Sequence, residues 1–375
     1  MTHHRWLQAL VLLLLTAIVA AAAAAPAAAA GDPGPAAAAA AYLQARATAV
    51  TAADPAATLA PWLASGSRLA SEEYFVARGT ARRAAELGHA LDRVQAQVDV
   101  TDESVDASGQ TATVTAHVVT TIAWHAASGR DSTEASGIDH ALSLVLRDGR
   151  WVVTADVYTD VQVPAYLESA GVPVRAVRAA TRRVEAASPA VALPAAAARP
   201  APPGGSRYAG VLYYDRDDAR AYADRYALSY NSTFARFVGV DCANFASQCG
   251  RAGGMPLAGP GTSGAWWYDK QGTASPADDE YSLSWINVGR QMSAWNGRRT
   301  DWVPSVSDVA RGDFVYYDWS GDGVWDHVAV FAGTNSAGQK VIDAHTTDHY
   351  RVYWKLGSSS TRYRFGHARP SWVIL

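Results

Sequence analysis

The sequence predicts an α+β protein built from two globular parts that are joined by a linker. In both parts, helix-permissive stretches precede runs of strand-like residues, which is typical of α+β folds. An Ala- and Pro-rich segment at residues 183–206 separates them, and its prolines favour an extended, semi-rigid chain. Nine of the thirteen tryptophans and thirteen of the seventeen tyrosines fall within residues 208–375. The second part therefore has its own aromatic core.

Residues 1–30 have the pattern of a secretory signal peptide. Arg5 precedes an apolar run from Leu7 to about Ala20, and small residues with several A-x-A options follow. A retained membrane anchor is the alternative, because the apolar stretch is about 20 residues long. We expect cleavage and no stable membrane insertion afterwards. The protein is then secreted to the extracellular space or associated with a bacterial cell wall.

Charge and cysteine content exclude two classes of protein. The formal net charge is −3, so no basic field attracts nucleic acid. Two cysteines in 375 residues do not make a disulfide scaffold, and the cores must stabilise the chain. The composition does not predict an oligomeric state.

The first part, residues 31–182, begins with helix-permissive stretches at 36–66 and 71–93. Strand-like alternation follows, with Val114 and neighbouring apolar residues at period two on one face. Asp148-Gly149 then forms the turn of a hairpin, because both positions favour positive φ. This order resembles the cone-shaped, nuclear-transport-factor-2-like (NTF2-like) α+β domains, which implies an accessory role. Its four histidines have no metal-ligand spacing, so we assign no chemistry to this part: His89, His117, His125 and His140.

The second part, residues 207–375, starts with a helix that Asp215 is placed to cap. Residues 282–296 read as another helix, with Trp285 and Trp295 on its apolar stripe. Five short strands follow and predict an antiparallel sheet. The aromatic residues between these elements are expected mainly in the core, with a substrate groove as the alternative: Trp266, Trp267, Tyr268, Trp285 and Trp295.

Both cysteines lie in "GVDCANFASQCG", where Cys242, Phe245 and Cys249 recur at helical spacing after Asp241. The pattern predicts a helix that begins at Cys242, with Asp241 as its N-cap and Gly253 near its end. Seven helical residues advance about 10.5 Å. A disulfide needs Cα atoms within about 7 Å, so the two cysteines do not bridge each other.

Cys242 is a candidate nucleophile because of its place at a helix N-terminus. The partial positive charge and free N–H groups there stabilise a thiolate, and they also suit the oxyanion of a tetrahedral intermediate. Structural zinc is disfavoured, since zinc needs three or four Cys, His or carboxylate ligands at close spacings such as C-x₂-C, and the sequence does not offer them beside Cys242. A buried cysteine that only fills the core remains the alternative at this point.

A thiolate nucleophile needs a histidine to carry the proton, and His327 at the start of an apolar strand is the candidate. If Thr334 pairs with Lys340 across a hairpin, residue 345 lies opposite residue 329. His345 and His327 then share a sheet face within reach of each other. Either His345 or Asp343 is placed to orient the His327 ring.

Two segments, "DCANFASQCGRAGG" and "RGDFVYYDWSGDGVWDHVAVFAG", resemble the family called the putative amidase domain. This family is related to the CHAP (cysteine, histidine-dependent amidohydrolase/peptidase) and papain-like cysteine hydrolases. The resemblance covers residues 207–375. It implies a papain-like fold with Cys242 as nucleophile, His327 as general base and His345 as the third polar group. Cys249 matches no role in that pattern.

The resemblance implies a secreted cysteine amidohydrolase that acts on peptidoglycan or another peptide substrate through an acyl-enzyme. Asp241, Asn244 and Gln248 on the same helix are candidates for oxyanion or supporting contacts. Two alternatives stay open. One is a cell-wall-binding or scaffold protein that keeps the fold without turnover, and the other is an acyltransferase that uses the same Cys–His site.

No cofactor is expected, with structural calcium as the alternative. Asp318, Ser320, Asp322 and Asp326 occupy positions 1, 3, 5 and 9 of a calcium-loop pattern. Ala329 stands where the pattern needs a bidentate Glu. We therefore favour an Asp/Gly turn without a metal.

Overall fold

A computed structural model describes residues 34–187 and 210–374. The predicted signal peptide at residues 1–30 lies outside the described residues, as does most of the predicted linker. The last helix before the gap ends at Ala187, so it extends into the stretch that composition assigns to the linker. None of the helices in the described part of the chain is both long and apolar enough to span a membrane.

The first half begins with helices, continues with a four-stranded meander and ends with two more helices. Their bounds are α1 Pro35–Ala49, α2 Pro55–Leu59, α3 Arg68–Glu86, β1 His89–Val105, β2 Thr111–Ala126, β3 Asp131–Arg147, β4 Arg150–Val157, α4 Val163–Ser169 and α5 Val174–Ala187.

The second half places its helices before most of its strands. Their bounds are β5 Gly210–Tyr213, α6 Arg216–Tyr226, α7 Cys242–Ala252, β6 Tyr268–Asp269, β7 Glu280–Tyr281, α8 Leu283–Ile286, α9 Val288–Trp295, β8 Thr300–Val303, β9 Phe314–Asp318, β10 His327–Thr334, β11 Lys340–Ala344, β12 Asp348–Tyr353, β13 Arg362–Ala368 and β14 Ser371–Ile374. The mixed α+β class with an antiparallel sheet is therefore confirmed.

One ten-stranded sheet runs through both halves. Its order is β1-β2-β3-β12-β11-β10-β9-β13-β8, with β4 also paired to β3. The junction is the antiparallel pair β3–β12, in which Ser136 lies opposite His349 and Gly137 opposite Asp348. The two compositionally distinct halves are thus joined by backbone hydrogen bonds within a single sheet.

In the second half, the two faces of the sheet pack against different clusters. Helix α7 lies on the face where Tyr316, Val328 and Val330 are buried. Tyr317 and Ala329 point to the opposite face, in a cluster with residues of β11 and β12. Successive strand residues alternate between the two faces of the sheet. In β10, therefore, the even-numbered residues point to α7 and the odd-numbered residues point away from it.

Most of the predicted elements are confirmed, with two corrections. Asp148 and Gly149 have φ of 51° and 73°, as the hairpin requires. Residues 89–93 belong to strand β1 and not to a helix. The helix predicted over 282–296 is two helices, because Asn287 is extended (φ −123°, ψ 126°) and caps α9 by accepting the N–H of Arg290.

The predicted register of β10 and β11 is wrong by one residue. Thr334 pairs with Lys340 as expected, but a β-bulge follows between Phe331 and Gly333. Val330 therefore lies opposite Asp343, which places residue 345 on the sheet face of Val328 and not on that of His327. A one-residue slip sends every later side chain to the other face.

Gly79 provides a test of the packing between α3 and α4. A Cβ at this position would lie 1.9 Å from the carbonyl oxygen of Tyr166. We expect Gly79→Ala to lower the free energy of unfolding by about 1–3 kcal/mol through overpacking, although alanine favours helix. Urea unfolding measures it. The control is Gly289→Ala in α9, where the nearest atom to a Cβ is 3.8 Å away and a neutral or stabilising effect is expected.

Candidate active site

Cys242 begins helix α7 as predicted, and it lies beneath the surface with 4% of its area exposed. Its backbone N–H donates to the Thr346 hydroxyl at 3.2 Å. Both cysteines are free thiols, so the predicted absence of a bridge between them is confirmed. Cys249 is fully buried in the core on the same helix.

The Cys242 thiol is protonated at neutral pH. Burial raises its pKa to about 11, and the charge of Asp241 acts in the same direction. The backbone of Val328 and Ala243 and the side chain of Thr346 lower the pKa, but burial outweighs them. The helix start thus supplies the expected donors, yet no thiolate forms in this closed site.

Asp241 precedes the helix as predicted, but its carboxylate does not cap the first turn. One carboxylate oxygen accepts the N–H of Phe237 at 2.8 Å and the side-chain amide of Asn244 at 2.9 Å. The other bonds to Nδ1 of His345 at 2.7 Å. Asp241 therefore fixes the loop before the helix and joins it to the segment after β11.

His345 lies on the α7 side of the sheet, where the bulge sends it. Its ring stacks on Phe245 with centroids 4.0 Å apart. Nδ1 bonds to Asp241, and Nε2 bonds to the carbonyl oxygen of Tyr226 at 2.7 Å. Burial lowers the pKa of His345, but the bond to Asp241 and the nearby carboxylates outweigh it and raise the pKa. Since both partners are acceptors, both ring nitrogens donate and the ring is an imidazolium.

His327 lies on the opposite face of the sheet, contrary to the prediction that it shares a face with His345. Its ring is 5.5 Å from the rings of Tyr317 and Trp319, and its Nε2 has no hydrogen-bond partner among the described residues. Burial lowers its pKa to about 3, so the ring is neutral. Its neighbour in sequence, Val328, packs in the same buried cluster as Cys242, and its backbone lowers the pKa of the thiol. Cys242 and the backbone next to His327 are thus close to each other, but the side chains of Cys242 and His327 are not.

Asp343 does not orient His327 as proposed from the sequence. It lies opposite Val330, which faces α7, and it accepts the N–H of Arg351 at 2.7 Å. Burial raises its pKa well above the usual range, and the charge of Asp224 adds to this effect.

His349 is a buried histidine near His327 that sequence reasoning missed. Burial lowers its pKa to about 3, and the charge of His327 acts in the same direction. Its Nε2 has no partner, and its Nδ1 bonds to Ser136 of β3 at 2.9 Å. Strand β12 was predicted, but its pairing with β3 has no short-range signal in the sequence.

Thr346 is a second residue that the sequence analysis missed. It has a φ of 89°, which is rare for a β-branched residue and stores backbone strain. This conformation directs its hydroxyl to Cys242. The only available signal was its position one residue after His345.

The proposed supporting residues on α7 are held by the core. The side-chain amide of Asn244 donates to the carbonyl oxygen of Ala235 at 2.9 Å, and its oxygen accepts the Trp285 indole N–H. Gln248 accepts the hydroxyl of Tyr222 at 2.6 Å. Both residues therefore support the helix. Trp266, Trp285 and Trp295 are buried as predicted.

The Asp-rich loop before β10 closes on itself through its carboxylates. Asp318 accepts the N–H groups of Gly321, Asp322 and Gly323 at 2.7–3.1 Å. Asp326 accepts the N–H of Trp319 at 2.9 Å. Within residues 34–187 and 210–374, no group of three or more His, Cys, Asp or Glu side chains is arranged to hold a metal ion. The metal-free turn stays a prediction, with calcium binding as its alternative.

Residues 213–367, which contain this site, match the family model described as "Putative amidase domain". The match confirms the resemblance that the two motifs predicted, and it supports amidase-type function for this region.

Two relatives from Bacillus subtilis (strain 168) match the chain. The uncharacterized protein YhbB is 31% identical over 164 residues, which cover 41% of this chain and 50% of YhbB. The uncharacterized protein YjcM is 30% identical over 146 residues, which cover 36% of this chain and 31% of YjcM. The chain thus spans half or less of the relatives that it matches.

A solved structure, the crystal structure of the intermembrane space region of chloroplast protein ARC6, matches with a TM-score of 0.24 and 16% identity. It covers 31% of this chain and 88% of that chain. This TM-score is too low to assign a fold.

The raised pKa of Cys242 predicts slow alkylation at neutral pH. Below a pKa of about 11 the thiolate fraction rises tenfold per pH unit, so the rate with iodoacetamide should climb without a plateau from pH 7 to 10. Mass spectrometry locates the label, and Cys249→Ala should leave the profile unchanged. A plateau below pH 8 would show a preformed thiolate and contradict the prediction.

Strain at Thr346 predicts that Thr346→Gly is more stable than Thr346→Ala by about 1 kcal/mol, since both lack the hydroxyl but only glycine accepts positive φ freely. Urea unfolding compares the two variants. Equal stability of the pair would mean that the position is not strained. Thr346→Ser keeps the hydroxyl and serves as the control for its bond to Cys242.

Proposed function

We propose that the protein is a secreted cysteine amidase or peptidase that hydrolyses an amide bond of cell-wall peptidoglycan through an acyl-enzyme on Cys242. One observation carries this proposal. Val328, the residue after His327, packs in the same buried cluster as Cys242, and its backbone lowers the pKa of the thiol, in a region that matches an amidase family. This contact brings the nucleophile beside the backbone of the histidine that the motif assigns as base.

His327, and not His345, is the base in this proposal. A base needs a free lone pair, and both nitrogens of His345 donate to acceptors. His327 is neutral, and its Nε2 is unpartnered. His345 is a positioning residue, because it holds Asp241 and so the start of α7.

The reaction follows the thiol hydrolase sequence. The sulfur of Cys242 attacks the amide carbonyl carbon while its proton passes to His327. The N–H groups at the start of α7 donate to the oxyanion. The C–N bond breaks as His327 protonates the leaving amine, and a thioester remains. Water, deprotonated by His327, attacks the thioester and releases a carboxylic acid and the free thiol.

Catalysis in this site requires the backbone at the start of β10 to rearrange, so that the His327 side chain leaves Tyr317 and Trp319 and passes to the α7 face beside the sulfur. In the closed site the proton stays on sulfur, since the pKa values are about 11 for the thiol and about 3 for the imidazole. Both shifts come from burial, so entry of a polar substrate or water moves the two values towards each other. Substrate binding and activation are then the same event.

The substrate class and location rest on the sequence. Residues 1–30 indicate secretion, and the resemblance to CHAP enzymes favours peptidoglycan by analogy. We also propose that residues 207–375 adopt the papain-like arrangement and that the first half is an NTF2-like accessory cone.

The second candidate is a non-catalytic cell-wall-binding protein. The observation in its favour is the closed site, with a protonated thiol and a His327 ring directed away from it. A binding protein needs neither a thiolate nor a mobile base.

The test is digestion of purified peptidoglycan, followed by mass spectrometry of the released fragments. We expect the wild type to release fragments with a new amine and a new carboxylate, and Cys242→Ala to release none. His327→Ala should lower the rate at least 100-fold, because it removes the general base. If wild type and Cys242→Ala release the same fragments, or neither releases any, the hydrolase proposal fails.

Controls separate the roles of the remaining residues. Cys249→Ala should keep full activity, since Cys249 has no part in the reaction. His345→Gln should lower activity because it weakens the bond to Asp241. Because His327 is also buried, thermal unfolding of His327→Ala must show a folded protein before its loss of activity is assigned to the missing base. Added amines distinguish hydrolysis from acyl transfer, because a transferase diverts the acyl group to the amine.

A further inference from the structure

A cleft at the end of β10 that lies farthest from His327 takes no part in the amidase site. Its volume is about 840 Å³, and it lies between the start of α6, the loop before β9, the end of β10 and the start of β11. This volume is within the roughly 300–1,000 Å³ of ligand-binding clefts. Because a strand rises about 3.3 Å per residue, Gly333 lies about 20 Å from His327 along the strand. The cleft is therefore separate from the site around Cys242.

Cationic side chains dominate the wall of this cleft. Eleven described residues line it, of which five are cationic and one is acidic. Small or uncharged residues such as Ala310, Ala332 and Gly333 form the rest of the wall. A Cβ at Gly333 would meet nothing within 4 Å, so the wall leaves room for a ligand at this point. The cationic residues are Arg216, Arg220, Arg311, Lys340 and Arg351, and the acidic residue is Asp217.

The carboxylates that pair with three of these arginines do not line the cleft. Arg216 bonds to Asp313, whose side chain is fully buried. Arg220 and Arg351 both bond to Asp224, whose side chain is 18% exposed. A ligand in the cleft thus meets the arginines and not these carboxylates. Because partly exposed ion pairs are weak, such arginines still bind an anion from solution.

Asp217 is the single carboxylate among the described residues that line the cleft, and it bonds to Arg311. Its neighbours Asp215 and Asp218 do not line the cleft, and Asp215 accepts two N–H groups as the N-cap of α6. Burial raises the pKa of Asp343, which lies behind the cleft, well above the usual range, so that its carboxyl group is neutral. The charge that faces the cleft is therefore mainly positive.

Two of the cations have hydrogen-bond donors that no described residue accepts. The Nε of Arg220 is buried and has no partner in the described part of the chain. Lys340 donates to the carbonyl oxygen of Val309 at 2.7 Å, but within residues 34–187 and 210–374 no carboxylate pairs with its ammonium group, which has three donors. A buried donor without an acceptor is unfavourable, and an oxygen atom of a ligand would offset that cost.

We propose that this cleft binds a ligand that carries two or more phosphate or carboxylate groups. The planar guanidinium group offers paired donors that match both kinds of oxyanion, and the Lys340 ammonium adds a compact charge. More than one anionic group is needed to contact the cations on both sides, because Arg216 and Arg220 belong to α6 whereas Lys340 and Arg351 belong to the sheet. The proposal is independent of the amidase function.

Calorimetric titration of the full chain with sodium tripolyphosphate and with sodium citrate, at one fixed ionic strength, tests the cleft. Tighter binding of tripolyphosphate assigns phosphate as the ligand group, and tighter binding of citrate assigns carboxylate. Lys340→Gln and Arg220→Gln should each lower the affinity by about fivefold or more, because each removes a positive charge from the cleft. Arg225→Gln, which removes an exposed arginine of α6 outside the cleft, should leave it unchanged. Binding of neither probe, or an affinity that is the same in all three variants as in the wild type, would overturn the proposal.

Asp217 gives a second readout of opposite sign. Asp217→Asn should raise the affinity for the tighter-binding probe by about twofold or more, because it removes the carboxylate that lines the cleft and releases Arg311. Asp218→Asn, in the same turn of α6 but outside the cleft, is the matched control and should leave the affinity nearly unchanged. An affinity that falls or stays the same in Asp217→Asn would contradict the placement of the ligand in this cleft. Thermal unfolding of each variant verifies that it is folded.

Discussion

The buried contact between Asp241 and His345 organises the second half of the molecule. The carboxylate connects the loop before α7, the helix itself through Asn244, and the segment that follows β11. His345 then extends the contact to the carbonyl oxygen of Tyr226 at the end of α6. Three elements distant in sequence are therefore held at the point where Cys242 begins its helix. A charged pair at this depth is stable only because each remaining polar atom has a partner.

Dryness is the second constraint on the site. It stabilises the hydrogen bonds around Asp241, but it also keeps Cys242 protonated and His327 neutral. The burial that makes the start of α7 rigid thus also suppresses the nucleophilic chemistry that Cys242 and His327 suggest. A free thiol that stays protonated reacts little with oxidants and electrophiles.

The sequence predicted the helices, the strands and the place of Cys242 at the start of a helix, because these follow from local periodicity and turn residues. The start of α7, the Asp148-Gly149 hairpin and the Thr334–Lys340 pair are local features of this kind. The faces of His327 and His345 were predicted wrongly, since a single extra residue at the β10 bulge has no clear mark in "VFAGT". The links from His349 to Ser136 and from Thr346 to Cys242 depend on tertiary pairing, which no short-range pattern encodes.

The pairing of β3 with β12 joins two halves of the chain that differ in composition. The composition changes sharply between the halves, yet the sheet continues across them with Ser136 opposite His349. Cutting the chain between the halves would leave each part with a bare strand edge, and such edges recruit other strands. Strand β12 is an inner strand of the sheet, so it needs its neighbour β3 from the first half to pair its backbone N–H and C=O groups.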